Sequence, residues 1–399
     1  GYGALTGAEA YIYKIKNVLY NIRCRLTEGI YSVLPGKEAG TLTAMLTGER
    51  GLLDSELKAL YSDGGIAHIL SISALHVTLL GMGLYRLLMF LFGRLKLSCI
   101  ATMLLMLAYG AMTGFAVSTR RAVIMLAVTL IAKMTGKAYD RLSACGAAAL
   151  LILLVQPLYI YDAGFRMSFA AVIGINTVQW IIDAYEIKNR FLKAFLPCIG
   201  VQLFTLPVVC LTYYEISVYA IFVNPLILIF MAMLLVSGAA AGGTGSAAVS
   251  GFGGSFTATL AKLFAGPCYF ILKLYEWLCE AELRLPFSKV VTGAPRLWAV
   301  VIYYAVLVIV MTAVVRKKEL RALCALLLCA CIFYNAPEAK LEAYFVDVGQ
   351  GDSLLIRQDS SVMLVDAGSS NVSNVGEYRL IPLLKYLGIK RIDTVMISH

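Results

Sequence analysis

The stretch IAHILSISALHVTLLGMGLYRLLMFLF, residues 66–92, decides how the chain is read. It is long and apolar enough to cross a bilayer, for which about 20 residues suffice. Its first half nevertheless carries His68, Ser71, Ser73 and His76, including two of the chain's three histidines. A continuous helix through this stretch would put His68, Ile72 and His76 on one face, with Ser73 one turn before His76. Polar side chains at membrane depth face other helices or water, because lipid offers them no partner. Two uses are open: hydrogen bonds that hold helices together, or the lining of a permeation path.

On either side of it, apolar runs of similar length repeat along the chain. The sequence is 60% apolar and only 15% charged, with a mean hydropathy of +0.80. That composition belongs to an integral membrane protein and excludes an ordinary soluble domain. The runs predict an all-α polytopic protein of ten spans, at 66–92, 97–114, 118–135, 142–160, 163–182, 194–211, 216–237, 256–277, 297–315 and 321–335. Basic residues gather in alternate connections: Arg94 and Lys96; Lys133, Lys137 and Arg141; Lys188, Arg190 and Lys193; and Arg316 to Arg321. By the positive-inside rule those connections are cytoplasmic, and both termini lie outside. The same rule accounts for the net charge of +10, which a nucleic-acid partner would also favour.

Before the spans, residues 9–35 have helical periodicity interrupted by Lys14, Lys16, Arg23 and Arg25. This predicts an amphipathic helix on the membrane surface, stopped at Pro35. A shorter helix ends near Gly48, and another starts at an Asp54 cap and ends at Gly64. The glycine-rich segment 237–254 reads as a flexible connection on the inner side, without the Lys-Ser/Thr ending of a phosphate loop. Pro157, Pro197, Pro207 and Pro225 fall in or beside apolar runs, where the backbone carbonyls they free need a neighbour or a hydrated cavity. The ten cysteines lie mostly in apolar runs and form no paired C-x-x-C zinc pattern.

Further polar residues interrupt the spans. Arg120 and Arg121, near one end of the third, either snorkel to the interface or bind phosphates at a pore mouth. Asp162 and Arg166 are spaced to pair on a helix. Gln202 and Asn224 suit contacts between helices. With His68, Ser71, Ser73 and His76 these are the candidates for a polar path.

After Pro337 the pattern becomes that of an α/β domain. Residues 341–348, 353–357, 362–365 and 392–397 read as strands, and residues 377–387 as a helix with Gly388 as its cap. The opening GYGALTG and the end at His399 read as cuts from a longer protein. The divisions expected are 1–8 as the tail of a preceding region, 9–65 surface helices, 66–335 membrane domain and 341–399 the start of the soluble domain.

The motif HILSISALHV, residues 68–77, resembles that of the ComEC family of DNA-uptake channels, with Ala74 where members carry Gly. Leu46-Thr47-Gly48-Glu49-Arg50 matches the family upstream. Asp162 to Ala171 (DAGFRMSFAA) matches downstream, with Arg166 at a usual Gln. Gln202 to Pro207, Ile216-Ser217 and Asn224-Pro225 follow in family order. The tail, with Val346 to Ser353 (VDVGQGDS), Leu364 to Gly368 and Ile397 to His399, resembles the opening of a metallo-β-lactamase domain. The resemblance implies passage of single-stranded DNA into the cytoplasm during natural transformation, through a channel in the bacterial inner membrane. It further implies an extracytoplasmic nuclease domain that would use a divalent metal, zinc or manganese. His399 would be the first metal ligand, and Asp347, Asp352 and Asp366 the loop carboxylates, whose bland role is turn capping. A single ligand holds no catalytic metal. A DNA receptor, a cytoplasmic motor and single-strand-binding proteins are the expected partners. The alternatives are a non-competence membrane transporter and an intramembrane hydrolase built on Ser73 and a histidine.

Overall fold

A computed structural model describes residues 7–70, 72–137, 140–317, 341–359 and 361–398. The tenth expected span, 321–335, lies outside the described residues, as do Ser71, His399 and the cysteines at 324, 329 and 331. The contacts divide the chain into two units, residues 1–172 with 219–288, and residues 173–218 with 289–399.

The first unit opens with α1 (Gly7–Tyr31), α2 (Gly36–Thr47) and α3 (Ser55–Asp63). The caps read from the sequence are in place. Asp54 accepts from the amide of Leu57 at 3.0 Å, and Gly48 closes α2 at φ +78°. After a 3₁₀ turn (Ala67–Leu70) come α4 (Ala74–Phe92), α5 (Leu95–Met112), α6 (Val117–Thr135) and α7 (Arg141–Val155). A second 3₁₀ turn (Pro157–Tyr161) leads into α8 (Ala163–Ala184) and, in the second unit, α9 (Arg190–Tyr213). The first unit is completed by α10 (Ala220–Val249) and α11 (Gly254–Leu283). At 30 residues each, these two helices run about 45 Å. They pack along each other, with Tyr275 donating to the carbonyl of Ile227 at 2.7 Å and Ser237 Oγ lying 3.1 Å from Cys268 Sγ. Leu42, Met45, Met231, Leu234 and Ile271 fill the core beside them.

Two expectations are corrected here. The glycine-rich segment is not a loop: α10 stays helical through Val249. Its glycines let another backbone approach, since a β-carbon at Gly29 would lie 2.1 Å from the carbonyl oxygen of Gly242. That close approach also moves the end of α1 off the surface, because Ile30 has no exposure at all. Composition alone marks glycine as a helix breaker, but between tightly packed helices a missing side chain is what allows the contact.

Among the described residues seven helices are long and apolar enough to cross a membrane: α4, α5, α8, α9, α10, α11 and α12 (Leu297–Lys317). Two expected spans differ. The 19-residue α6 carries Arg120, Arg121 and Lys133, and α7 has only 15 residues.

In the second unit Gly174 of α8 meets Gly200 of α9, where a β-carbon would come within 2.5 Å of the opposite carbonyl. Pro207 deprives the carbonyl of Leu203 of its helical donor. No cavity is needed to satisfy it, since Tyr303 of α12 donates to that oxygen at 3.0 Å. Strands β1 (Glu215–Ser217) and β2 (Lys289–Val291) form an antiparallel ladder.

The C-terminal region of this unit has β3 (Leu341–Phe345), β4 (Leu354–Gln358), β5 (Ser361–Val365) and β6 (Thr394–Met396), adjacent in that order. The first pairs are antiparallel, and β5 and β6 are parallel. A π turn (Gly376–Leu380) and α13 (Ile381–Tyr386) provide the crossover. Asp393 accepts from the amide of Val362 and from Arg391, and the guanidinium holds its carboxyl below the usual range. This region docks on the ladder. Lys385 pairs with Glu215 at 2.6 Å, Tyr386 meets Tyr214 edge-on at 5.2 Å between ring centroids, and the Ala294 amide donates to Tyr386 O at 2.8 Å.

Candidate functional site

The candidate residues of the first unit collect where helices begin. Ser73 is extended (φ −95°, ψ 167°) and caps α4. Its backbone N–H donates to His76 Nδ1 at 3.3 Å, and its Oγ lies 2.7 Å from the same nitrogen. The amide of His76 in turn donates to Ser73 Oγ at 3.5 Å. This is a capping box with histidine in the place usually held by Glu or Gln. The continuous helix expected through residues 66–92 is therefore corrected: α4 starts at Ala74, and His68 and His76 do not share a helix face. The physical reason is that serine's side chain competes for backbone donors and stops the helix there.

The capping has a chemical consequence. A backbone N–H can only donate, so Nδ1 of His76 is an acceptor and the neutral ring carries its proton on Nε2. That nitrogen is buried with no hydrogen-bond partner among the described residues, while His68 lies in the 3₁₀ turn Ala67–Leu70. The Ser73–His76 distance fits a nucleophile and base, but a hydrolase also requires a group that orients the base. Here the free nitrogen has none, and capping accounts for the pair.

Helix α6 begins against the segment leading into α4, with Ser118 Oγ donating to the carbonyl of Ile72 at 2.9 Å. Thr119 is fully buried and its hydroxyl has no partner among the described residues. Arg120 donates from Nε to Phe115 O at 2.7 Å and lies over Tyr159, 5.5 Å from the ring centroid. Arg121 is 4% exposed, so it does not snorkel. Its guanidinium lies 5.6 Å from the ring centroid of Phe169 in α8.

The start of α8 corrects the expected Asp162–Arg166 pair. Asp162 caps the helix, accepting from the amide of Phe165 at 2.7 Å. Arg166 turns the other way, donating from Nε to Ile160 O at 2.8 Å and lying 5.7 Å from the ring centroid of Tyr161. Residues four apart can meet only when both lie within regular helix, and Asp162 is the cap. Sequence reasoning missed Tyr159, Tyr161, Phe169 and Ser118. The signal available was their density beside the arginines, which composition alone attributes to an interfacial belt.

Gln202 is half-buried in α9, in the second unit. Asn224 lies in α10 before Pro225, its Oδ1 buried without a partner. Within the first unit, then, Ser73, His76, Arg120, Arg121, Asp162 and Arg166 are gathered around the starts of three helices.

In the C-terminal region two loops meet. The Gln350 amide donates to Asn371 Oδ1 at 2.8 Å, and the Ser370 amide to Gln350 O at 2.9 Å. Asp347 accepts from the Gly349 amide at 3.1 Å, as a turn-capping carboxylate does. Asp352 is exposed in the same loop. Asp366, at φ +50°, accepts from the Ser398 amide at 2.8 Å and ties the end of β5 to the end of β6. Among the described residues no three metal-ligating side chains come together. These residues by themselves do not fit a catalytic metal.

The apolar helices and their polar starts define a multi-pass membrane protein. Residues 45–317 match the Competence family (competence protein), and the chain belongs to that family. It is 24% identical to ComE operon protein 3 of Bacillus subtilis over 412 aligned positions, covering 98% of this chain and 51% of that protein. It is 26% identical to competence protein ComA of Neisseria gonorrhoeae, covering 90% and 50% respectively. With recombination protein 2 of Haemophilus influenzae the identity is 24%, over 90% and 50%. The chain thus spans about half the length of these relatives. No solved structure matches it.

Proposed function

We propose that the chain forms the membrane channel through which single-stranded DNA enters the cytoplasm during natural transformation. The observation that carries this reading, beside membership of the competence family, is the gathering of cations at the starts of α6 and α8. Arg120 and Arg166 form no ion pair among the described residues. Strand passage asks for such groups, because phosphate charge dominates the affinity of nucleic acids for proteins. Arg121, buried beside Phe169, supplies a further cation.

The membrane is the bacterial inner membrane, and the C-terminal sheet faces outward. Two observations support that orientation. Alternate connections hold most of the basic residues, which puts the connection between α11 and α12 outside. Helix α13, the crossover of the C-terminal sheet, touches that same connection, the Ala294 amide donating to Tyr386 O. We read the sheet as the beginning of a metallo-β-lactamase-like nuclease region. Zinc or manganese would be its metal, His399 the first ligand, and Asp347, Asp352 and Asp366 its loop carboxylates. A DNA receptor and a cytoplasmic motor or single-strand-binding proteins are the partners of this reading.

The test replaces Arg120 and Arg121 together by Gln and measures transformation frequency against protein level in the membrane. Uptake falls at least tenfold at unchanged protein level. Normal uptake removes these residues from the path. The rival hydrolase is tested by Ser73→Asn, which keeps a capping side chain. Peptide cleavage by the wild type that this variant loses would revive it.

A further inference from the structure

Arg120 and Arg166 are held by the same device, applied twice to one short turn. Each donates its Nε to a carbonyl just before its own helix, Phe115 O and Ile160 O. Each guanidinium then lies over a tyrosine of the 3₁₀ turn Pro157–Tyr161, Arg120 over Tyr159 and Arg166 over Tyr161. With Nε committed, the planes are fixed, and among the described residues the terminal nitrogens form no ion pair. Asp162, next in sequence, is exposed and its Oδ1 caps α8. It is the anion nearest in sequence, and a ligand must tolerate it.

We infer that this turn is a nucleotide-binding clamp, in which the guanidinium edges of Arg120 and Arg166 take phosphate oxygens while Tyr159 and Tyr161 stack with bases of a single strand. The inference rests on the DNA reading above and gives it a location. Arginine's planar fork suits phosphate, and base stacking on aromatic rings tolerates any sequence. An interfacial belt tyrosine and a snorkelling arginine would each satisfy composition. They do not require the arginine to be bonded at Nε and stacked at the same time, in two successive copies. An anionic lipid headgroup offers the phosphate but no base for the rings, so nucleic acid is favoured.

The experiment uses the full chain in zwitterionic nanodiscs with an iododeoxyuridine oligonucleotide, photocrosslinked and mapped by mass spectrometry. Adducts form on Tyr159 or Tyr161. Tyr159→Ala with Tyr161→Ala weakens oligonucleotide binding about tenfold or more, while the paired Tyr→Phe variants, which keep the rings, bind as wild type. Arg120→Lys with Arg166→Lys also weakens binding, since lysine lacks the fork. Adducts elsewhere with unchanged affinity in the alanine variant overturn the clamp and leave the DNA reading intact. Absence of both oligonucleotide binding and cellular uptake overturns that reading and the clamp together. Binding that anionic lipid displaces completely at constant ionic strength assigns the turn to a headgroup and overturns the clamp.

Discussion

Two regions of the first unit carry cations in apolar surroundings and treat them differently. Lys273 of α11 sits between Glu38 Oε1 at 2.9 Å and Glu276 Oε2 at 2.7 Å. Glu38 is only 6% exposed, so the pairing joins α2 to α11 by giving a buried carboxylate a cation at the edge of the protein. At the turn before α8, Arg120 and Arg166 are fixed by carbonyls and rings, and among the described residues no carboxylate pairs with them. A charge balanced internally serves the fold. A charge oriented but left unbalanced is available to an anion from outside.

Three sets of substitutions distinguish charges that hold the fold from charges that do not. Lys273→Met leaves Glu38 buried without its half-exposed cation and destabilises the protein by about 2 kcal/mol. Thermal unfolding in detergent reads the loss, and adding Glu38→Gln recovers much of it. Wild-type stability in the single variant would mean that the triad holds nothing together. An intermediate effect is expected where Lys385 meets Glu215, a pair more exposed than Glu38. A double-mutant cycle with Lys385→Met and Glu215→Gln should give a coupling of roughly 1 kcal/mol. Strict additivity would show that the C-terminal region is held on the ladder by Tyr386 and backbone contacts alone. The smallest change in stability belongs to Arg120→Gln with Arg166→Gln, about 1 kcal/mol or less, because only ring contacts and two carbonyl bonds are lost. A loss as large as that of Lys273→Met would make these arginines structural and erase the contrast.

Much of the scaffold was legible in the residue order. Asp54 and Gly48 bound helices as their chemistry requires, since a cap depends on neighbours three or four residues away. The strands after residue 340 were legible because alternation and glycine positions are local signals too. The glycine-rich half of α10 was not. Its reading depends on Gly29, more than two hundred residues earlier, whose backbone fills the space the absent side chains leave. The Asp162–Arg166 pair failed for a related reason. Spacing suggests which groups can meet, but Asp162 had the start of α8 to cap and Arg166 had Ile160 and Tyr161 nearer at hand. The helix break at Ser73 lies between these cases, because its competing donors are local but were outweighed by the apolar run on either side.

By itself the sequence determined that this is a membrane protein of many apolar helices, belonging to one recognisable family and followed by a strand-rich region. Burial of apolar length is an additive property, readable from composition without knowing any contact. Only the tertiary structure decided which polar groups are satisfied and which remain available. Tyr303 answers the carbonyl freed by Pro207 across a hundred residues, whereas the terminal nitrogens of Arg120 and Arg166 meet no carboxylate among the described residues. Hydrogen bonds and ion pairs are short-ranged and directional, so their completion depends on distances that no local pattern encodes.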